Sequence, residues 1–273
     1  MEWCRATYGN ISHMTTSAAL KHLDLFSGIG GFALGLRWAG GFETVGFCEI
    51  DPWCQKLLAQ KFPNIPIYND VRNITNDQLE ADNICGISVI TGGFPCQDIS
   101  IAGDQSGIEA PRSGLWSELC RIIGEVRPKY AIIENVSNLL NGPIERRGQW
   151  FSRVLRDLAE IGYNAEWYDI PASYVGAWHR RGRAWILAYP NQISRFKRRT
   201  QKPILRQLHL SQQLTRSFEK WPGRSNLPTP TLCGVIDGIP RRVDRLKGLG
   251  NAVVPQIPEI LGRAIINSME QPA

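Results

Sequence analysis

From Lys21 onward, short apolar runs alternate with segments whose apolar positions recur at helical spacing. His22 to Phe26 predicts a strand and Gly31 to Ala39 a helix; Thr44 to Glu49 predicts a second strand and Pro52 to Lys61 a helix with proline in its first turn. A third strand is expected to end near Asp70, after Ile67-Tyr68-Asn69. Further on come a strand at Ile87 to Thr91, a helix at Leu115 to Val126, a strand at Tyr130 to Glu134 and a helix at Gln149 to Ile161. Two more strands are expected near Ala165 to Ile170 and Ala184 to Tyr189. Alternation repeated this often predicts an α/β fold built on a doubly wound, mostly parallel sheet.

The alternation stops at Pro190. From Asn191 to about Val235 the chain is polar, basic and broken by prolines, and Trp221 in its middle reads as a small local core rather than a base-stacking residue. Helical spacing returns at Pro255 to Ile266, where Ile257, Ile260, Leu261, Ala264 and Ile265 line one face that needs a sheet to cover. The expected organisation is therefore a poorly patterned extension over 1–20, a main domain over 21–190, an insertion over 191–240 and a return to the main domain over 241–273. Met14 is an alternative start.

Composition narrows the class. With 43% hydrophobic and 21% charged residues among 273, the chain reads as globular rather than disordered. Seven scattered cysteines without a Cys-x-x-Cys pair point to a reduced, cytoplasmic protein and away from disulfides or a zinc site; no metal is expected. No signal peptide or bilayer-spanning run is legible, and a monomer is expected. The net charge of +6 and pI of about 9.0 favour a polyanionic partner. His179-Arg180-Arg181-Gly182-Arg183 and Arg195-Phe196-Lys197-Arg198-Arg199 concentrate that charge, as phosphate contacts or as solvated loops with equal weight.

The candidate chemistry sits at strand ends. Phe26-Ser27-Gly28-Ile29-Gly30-Gly31-Phe32-Ala33 links the first strand to the first helix, and Gly28, Gly30 and Ala33 satisfy G-x-G-x-x-G/A. Glu49 ends the second strand, where an acid can grip ribose hydroxyls, so a nucleoside cofactor is expected; NAD, FAD and S-adenosylmethionine are equally compatible with this pattern. Asp70 reads equally as an acceptor for an adenine amino group and as an Asx turn. Gly92-Gly93-Phe94-Pro95-Cys96-Gln97 puts a cysteine in the loop after a buried strand. By residue type alone Cys96 is more often a small buried hydrophobe than a nucleophile. Glu134, at the end of an apolar strand on the same sheet edge, changes that weighting, because a desolvated carboxyl can hold a proton near neutral pH. A cysteine beside such a group suits addition to an electron-poor ring that must be protonated.

Phe-Ser-Gly-Ile-Gly-Gly, Gly-Phe-Pro-Cys-Gln, Glu-Asn-Val, His-Arg-Arg-Gly-Arg and Gly-Asn-Ala-Val-Val-Pro occur here in one order. In that order the chain resembles the C5-cytosine DNA methyltransferases, as a short member of bacterial or prophage type. The resemblance covers about Lys21 to Pro190 and Arg241 to Ile266. It implies a Rossmann-like methyltransferase domain with a small target-recognition region, S-adenosyl-L-methionine as cofactor, double-stranded DNA as partner and a restriction-modification setting. It implies attack by Cys96 on C6 of a flipped cytosine, Glu134 on the ring N3 and amine, Arg183 on O2 and Arg181 bracing the site. Phe26, Gly28, Gly30, Gly31, Glu49, Ile50, Asp70, Val71, Pro95, Leu115, Asn251 and Ala252 match its cofactor positions. The segment from Ser100 to Arg112 would close over the flipped base. The chain departs from the pattern at His179, where many members have glutamine, and in the shortness of its insertion. Rival readings are cytosine methylation in RNA, a non-catalytic DNA-binding regulator on the same scaffold, and a nicotinamide oxidoreductase, which leaves Pro-Cys-Gln and Glu-Asn-Val unused.

Overall fold

The computed structural model describes residues 19–95, 114–143, 147–177, 181–191 and 250–270. Their elements are β1 (Leu20–Leu25), α1 (Gly31–Ala39), β2 (Phe42–Cys48), α2 (Pro52–Lys61), β3 (Ile67–Tyr68), α3 (Asn76–Ala81) and β4 (Val89–Gly92). There follow α4 (Leu115–Val126), β5 (Tyr130–Val136), α5 (Asn138–Asn141), α6 (Gln149–Glu160), β6 (Tyr163–Asp169), β7 (Arg183–Pro190) and α7 (Gln256–Glu270).

Seven strands form one sheet in the order β3-β2-β1-β4-β5-β7-β6. The pairs from β3 to β5 are parallel, whereas β7 runs antiparallel to both β5 and β6. The sheet is thus mostly parallel, with one reversed strand that local pattern does not reveal. The order reverses between β1 and β4, and such switch points open a crevice beyond the strand carboxyl ends.

Strand alternation sorts the core into two layers. Leu23, Leu25, Ile90, Ile133 and Ile186 point to one face and pack against Leu119, Ile122 and Ile123 of α4 and Val154 and Leu158 of α6. Val89, Ile132, Trp185 and Leu187 point to the other, against Phe32 and Leu36 of α1 and Ile257, Leu261 and Ile265 of α7. The five apolar positions read from the sequence of α7 are all buried. α1 and the chain leading into α7 lie so close that a Cβ at Gly31 would come within 2.6 Å of the Val253 carbonyl oxygen. Helix starts are locally encoded: Asp51 accepts from the N–H groups of Trp53 (2.9 Å) and Cys54 (3.3 Å) ahead of Pro52, and Thr75 caps α3 through the Gln78 N–H at 3.1 Å.

Candidate active site

The turn after β1 is a left-handed passage, with φ of 54° at Phe26, 53° at Gly28 and 84° at Gly30. A Cβ at Gly28 would meet nothing within 4 Å, so glycine is required there by backbone conformation and leaves an open approach to the chain. The turn is fastened below by Ser27, whose hydroxyl donates to the Asp24 carbonyl at 2.6 Å. Glu49 fastens it sideways: Oε2 accepts from Gly28 N–H at 2.7 Å and Oε1 from Asp51 N–H at 2.8 Å. Gln55 extends the bracing, donating to the Glu49 carbonyl at 2.5 Å and to Asn69 Oδ1 at 2.9 Å.

Asp70 stands next to Asn69 and makes an Asx turn, accepting from Arg72 N–H at 3.0 Å, and its carboxylate also pairs with the Arg72 guanidinium at 2.6 Å. Those Arg72 hydrogen bonds hold its carboxyl below the ordinary range. Val71 is buried, and Arg121 of α4 donates to the carbonyls of Val71 at 3.3 Å and Ile74 at 2.9 Å, pinning this turn to the helix that begins at Leu115. Arg121 was not legible as a site residue, because its targets are backbone atoms about fifty positions away. Ile50 is 62% exposed, an apolar side chain left bare on the rim beside Glu49.

The second cluster forms where β5 ends. The reversal of β7 brings its first residue, Arg183, opposite Val136, so the arginine reaches back to Glu134 with Nε 2.8 Å from Oε1. The Glu134 side chain keeps only 14% of its surface. Burial pushes its carboxyl above the ordinary range, against the opposing charges of Arg183 and Arg181 and the Arg183 hydrogen bond. Gly93 leaves room for this carboxylate, since a Cβ there would lie 3.1 Å from Oε2. Next to it, buried Asn135 donates Nδ2–H to the Phe94 carbonyl at 3.0 Å and so anchors the Gly-Phe-Pro loop that carries Pro95. Cys96 itself lies outside the described residues, as do His179, the segment Ser100 to Arg112, and the basic tract and Trp221 of the insertion. Arg181 donates to the Ala252 carbonyl at 3.0 Å, which ties the arginine block to the segment carrying Asn251 and Ala252.

Two further features frame the site. A cleft of about 570 Å³ lies between α1, α2 and residues 252–256; Gly30, Gly31, Arg181 and Ala252 line it, whereas Glu49, Ile50, Asp70 and Glu134 do not. Among the described residues no group of three or more His, Cys, Asp or Glu is placed to hold a metal, and no helix is long and apolar enough to cross a membrane.

The donor set suits a nucleoside carrying a positive charge: an open glycine turn, an acid at the end of β2, an exposed apolar side chain beside it, and a buried carboxylate oxygen of Asp24 that lacks any hydrogen-bond partner. This sheet order, with its single reversed strand and its glycine turn at the switch point, defines a Rossmann-like methyltransferase fold. The family model for C-5 cytosine-specific DNA methylase matches residues 20–228, and the chain belongs to that family. Among curated relatives, the type II methyltransferase M.CviJI of Paramecium bursaria Chlorella virus IL3A is 38% identical over 62% of this chain and 43% of its own length. M.Sau3AI of Staphylococcus aureus is 33% identical over 68% of this chain and 47% of its own length, so the chain spans about half the length of these relatives. In structure it is similar to a prophage-encoded E. coli chain described as a DNA modification methyltransferase, with a TM-score of 0.54 and 26% identity over 64% of this chain and 48% of the other. The fold is also shared by Spodoptera frugiperda DNMT2, with a TM-score of 0.51 and 22% identity over 64% and 51% of the two chains.

Proposed function

We propose that this protein transfers a methyl group from S-adenosylmethionine to carbon 5 of a cytosine in double-stranded DNA. The observation that carries the reading is the Glu134–Arg183 pair at the strand-end edge beside the anchored Phe94-Pro95 loop, with Cys96 next in the chain.

S-adenosylmethionine supplies an electrophilic methyl group, and Glu49, the glycine turn, Ile50 and the Asp70–Val71 turn would hold its nucleoside, with Pro95, Leu115, Asn251 and Ala252 completing the wall. The residues of the chain then act on the base. No duplex cytosine exposes C6, so the base must first be flipped out at a cost of about a few kcal/mol. Cys96 adds to C6 as a thiolate, its electron pair forming the S–C6 bond while the C5–C6 pair shifts into the ring. Glu134 holds a proton at N3 to balance that charge, a task suited to a carboxyl whose burial keeps protonation within reach. Arg183, already locked to Glu134, would donate to O2, and Arg181 would brace the pair. After methylation, loss of the C5 proton and departure of the Cys96 thiolate restore the aromatic ring. Residues 191–240 would supply the DNA-reading region.

Bisulfite sequencing of host DNA after expression locates the modified site. A duplex carrying 5-fluorocytosine at that site should then trap the protein, because fluorine cannot leave as the proton does and elimination stalls. A denaturation-resistant adduct is expected in wild type and not in Cys96→Ala. Its absence from wild type at a proven site refutes the covalent mechanism.

A further inference from the structure

Beneath the glycine turn lies a polar chain with no part in the cytosine chemistry. His22 and Asp24 occupy alternate positions of β1 and are both fully buried. Thr91 Oγ1 donates to Asp24 Oδ1 at 2.7 Å. With its one proton used there, the hydroxyl can only accept from His22 Nε2, 2.8 Å away, so the imidazole carries its proton on Nε2. His22 Nδ1 must then accept from Thr44 Oγ1 at 3.0 Å. The ring is neutral, since burial lowers its pKa to about 3. Every proton of the chain Thr44, His22, Thr91 therefore points toward Asp24, an orientation that favours negative charge on that carboxylate.

Yet the carboxylate is left incomplete. Asp24 Oδ2 is buried without a hydrogen-bond partner, and no lysine or arginine among the described residues pairs with it. Burial pushes its acid up to about 8; the Thr91 hydrogen bond and the Ala33 backbone N–H in the first turn of α1 pull the other way, and the charge of Glu49 raises it further. Cys48, the remaining titratable neighbour on β2, is an uncharged thiol pushed up to about 12. Over the carboxylate, α1 contributes only Arg37 among its titratable groups, at its exposed far end. A buried carboxylate short of partners is costly unless a cation completes it.

We propose that Asp24 is the counter-charge for the sulfonium of the methyl donor, giving the site a means to tell the charged donor from the uncharged thioether product. The proposal rests on the S-adenosylmethionine reading above. It assigns to the buried chain the role of holding negative charge under the glycine turn, and it makes product release easier because methyl transfer removes the charge that Asp24 attracts.

Calorimetry on the full chain at about pH 8.5, where Asp24 is mostly ionised, tests it with three ligands: S-adenosylmethionine, S-adenosylhomocysteine and sinefungin, which carries an amine in place of the sulfonium. Asp24→Asn keeps an acceptor for Thr91 and should weaken both charged ligands by about tenfold or more while changing the thioether by less than about threefold. Equal loss for all three, or no loss, overturns the proposal. If none of the three binds the wild type, the cofactor reading itself fails and the proposal with it. Should the variant not fold, carbon-13 labelling of aspartate carboxyls in the wild type identifies the one titrating near 8. S-adenosylmethionine should move that midpoint down by about 1 on the pH scale and the thioether should not; the same movement with both ligands overturns the assignment.

Discussion

Glu134→Gln separates the charge of the site from its shape. Glutamine fits the space left by Gly93 and still offers an acceptor to Arg183 Nε, so the change removes one charge and little else. Two effects act on that charge. The Arg183 pair at 2.8 Å favours it, by an amount on the order of 4 kcal/mol or somewhat more at an effective dielectric of 20. Desolvation opposes it, at about several kcal/mol per buried ion. The raised pKa shows that desolvation wins. A carboxyl raised in this way binds more protons in the folded state between its unfolded and folded values, so stability falls as pH rises through that window and the penalty is complete above it. Glutamine carries no such penalty. Arg183 keeps 23% of its side-chain surface in water, so losing its partner costs less than the roughly 3–5 kcal/mol of a fully buried pair. Thermal unfolding of Glu134→Gln near neutral pH should therefore stay within about 1 kcal/mol of wild type, with a flatter pH dependence above about pH 4. Single-turnover methyl transfer should fall by about 100- to 10,000-fold, the contribution of a positioned proton donor. A stability loss above about 3 kcal/mol would show that the ion pair outweighs desolvation. A rate within threefold of wild type would remove Glu134 from the chemistry.

Glu49→Ala should weaken S-adenosylmethionine binding by about 1.5–3 kcal/mol, one charged hydrogen bond to ribose, and calorimetry that instead finds tight NAD binding would contradict the cofactor assignment. Asn135→Ala leaves the Phe94 carbonyl and the Val136 N–H without their partners, so chemical unfolding should report a loss of about 1–3 kcal/mol and the 5-fluorocytosine adduct should form more slowly; an unchanged adduct rate would show that the loop is positioned by other interactions. Replacing Arg195, Lys197, Arg198 and Arg199 with alanine should weaken binding to every DNA sequence and flatten the slope of log K against log salt by about 0.9 for each phosphate no longer neutralised. A wild-type slope would make this tract a solvated loop.

Much of the architecture follows from the sequence by itself, because its signals are local. The apolar runs at Ile87 to Thr91 and Tyr130 to Glu134 and the helical stripe Ile257, Ile260, Leu261, Ala264, Ile265 are set by side chains a few residues apart, and each lands in the core. Short polar α3, with Leu79 as its only buried side chain, carried too little periodicity to be seen, although Thr75 caps it. The places of the glycine turn between β1 and α1 and of Glu49 just past β2 were legible because motif spacing encodes how far a loop must reach. What only the tertiary structure decided depends on partners remote in sequence. The direction of β7 is a matter of pairing, not of composition, and it alone carries Arg183 to Glu134. The polar positions His22 and Asp24 look like interruptions of an apolar strand; their meaning comes from Thr44 and Thr91 on the flanking strands, which satisfy three buried atoms and leave Asp24 Oδ2 alone. Local patterning selects elements because backbone geometry is periodic, whereas charge pairing inside a core is selected by which strands lie side by side.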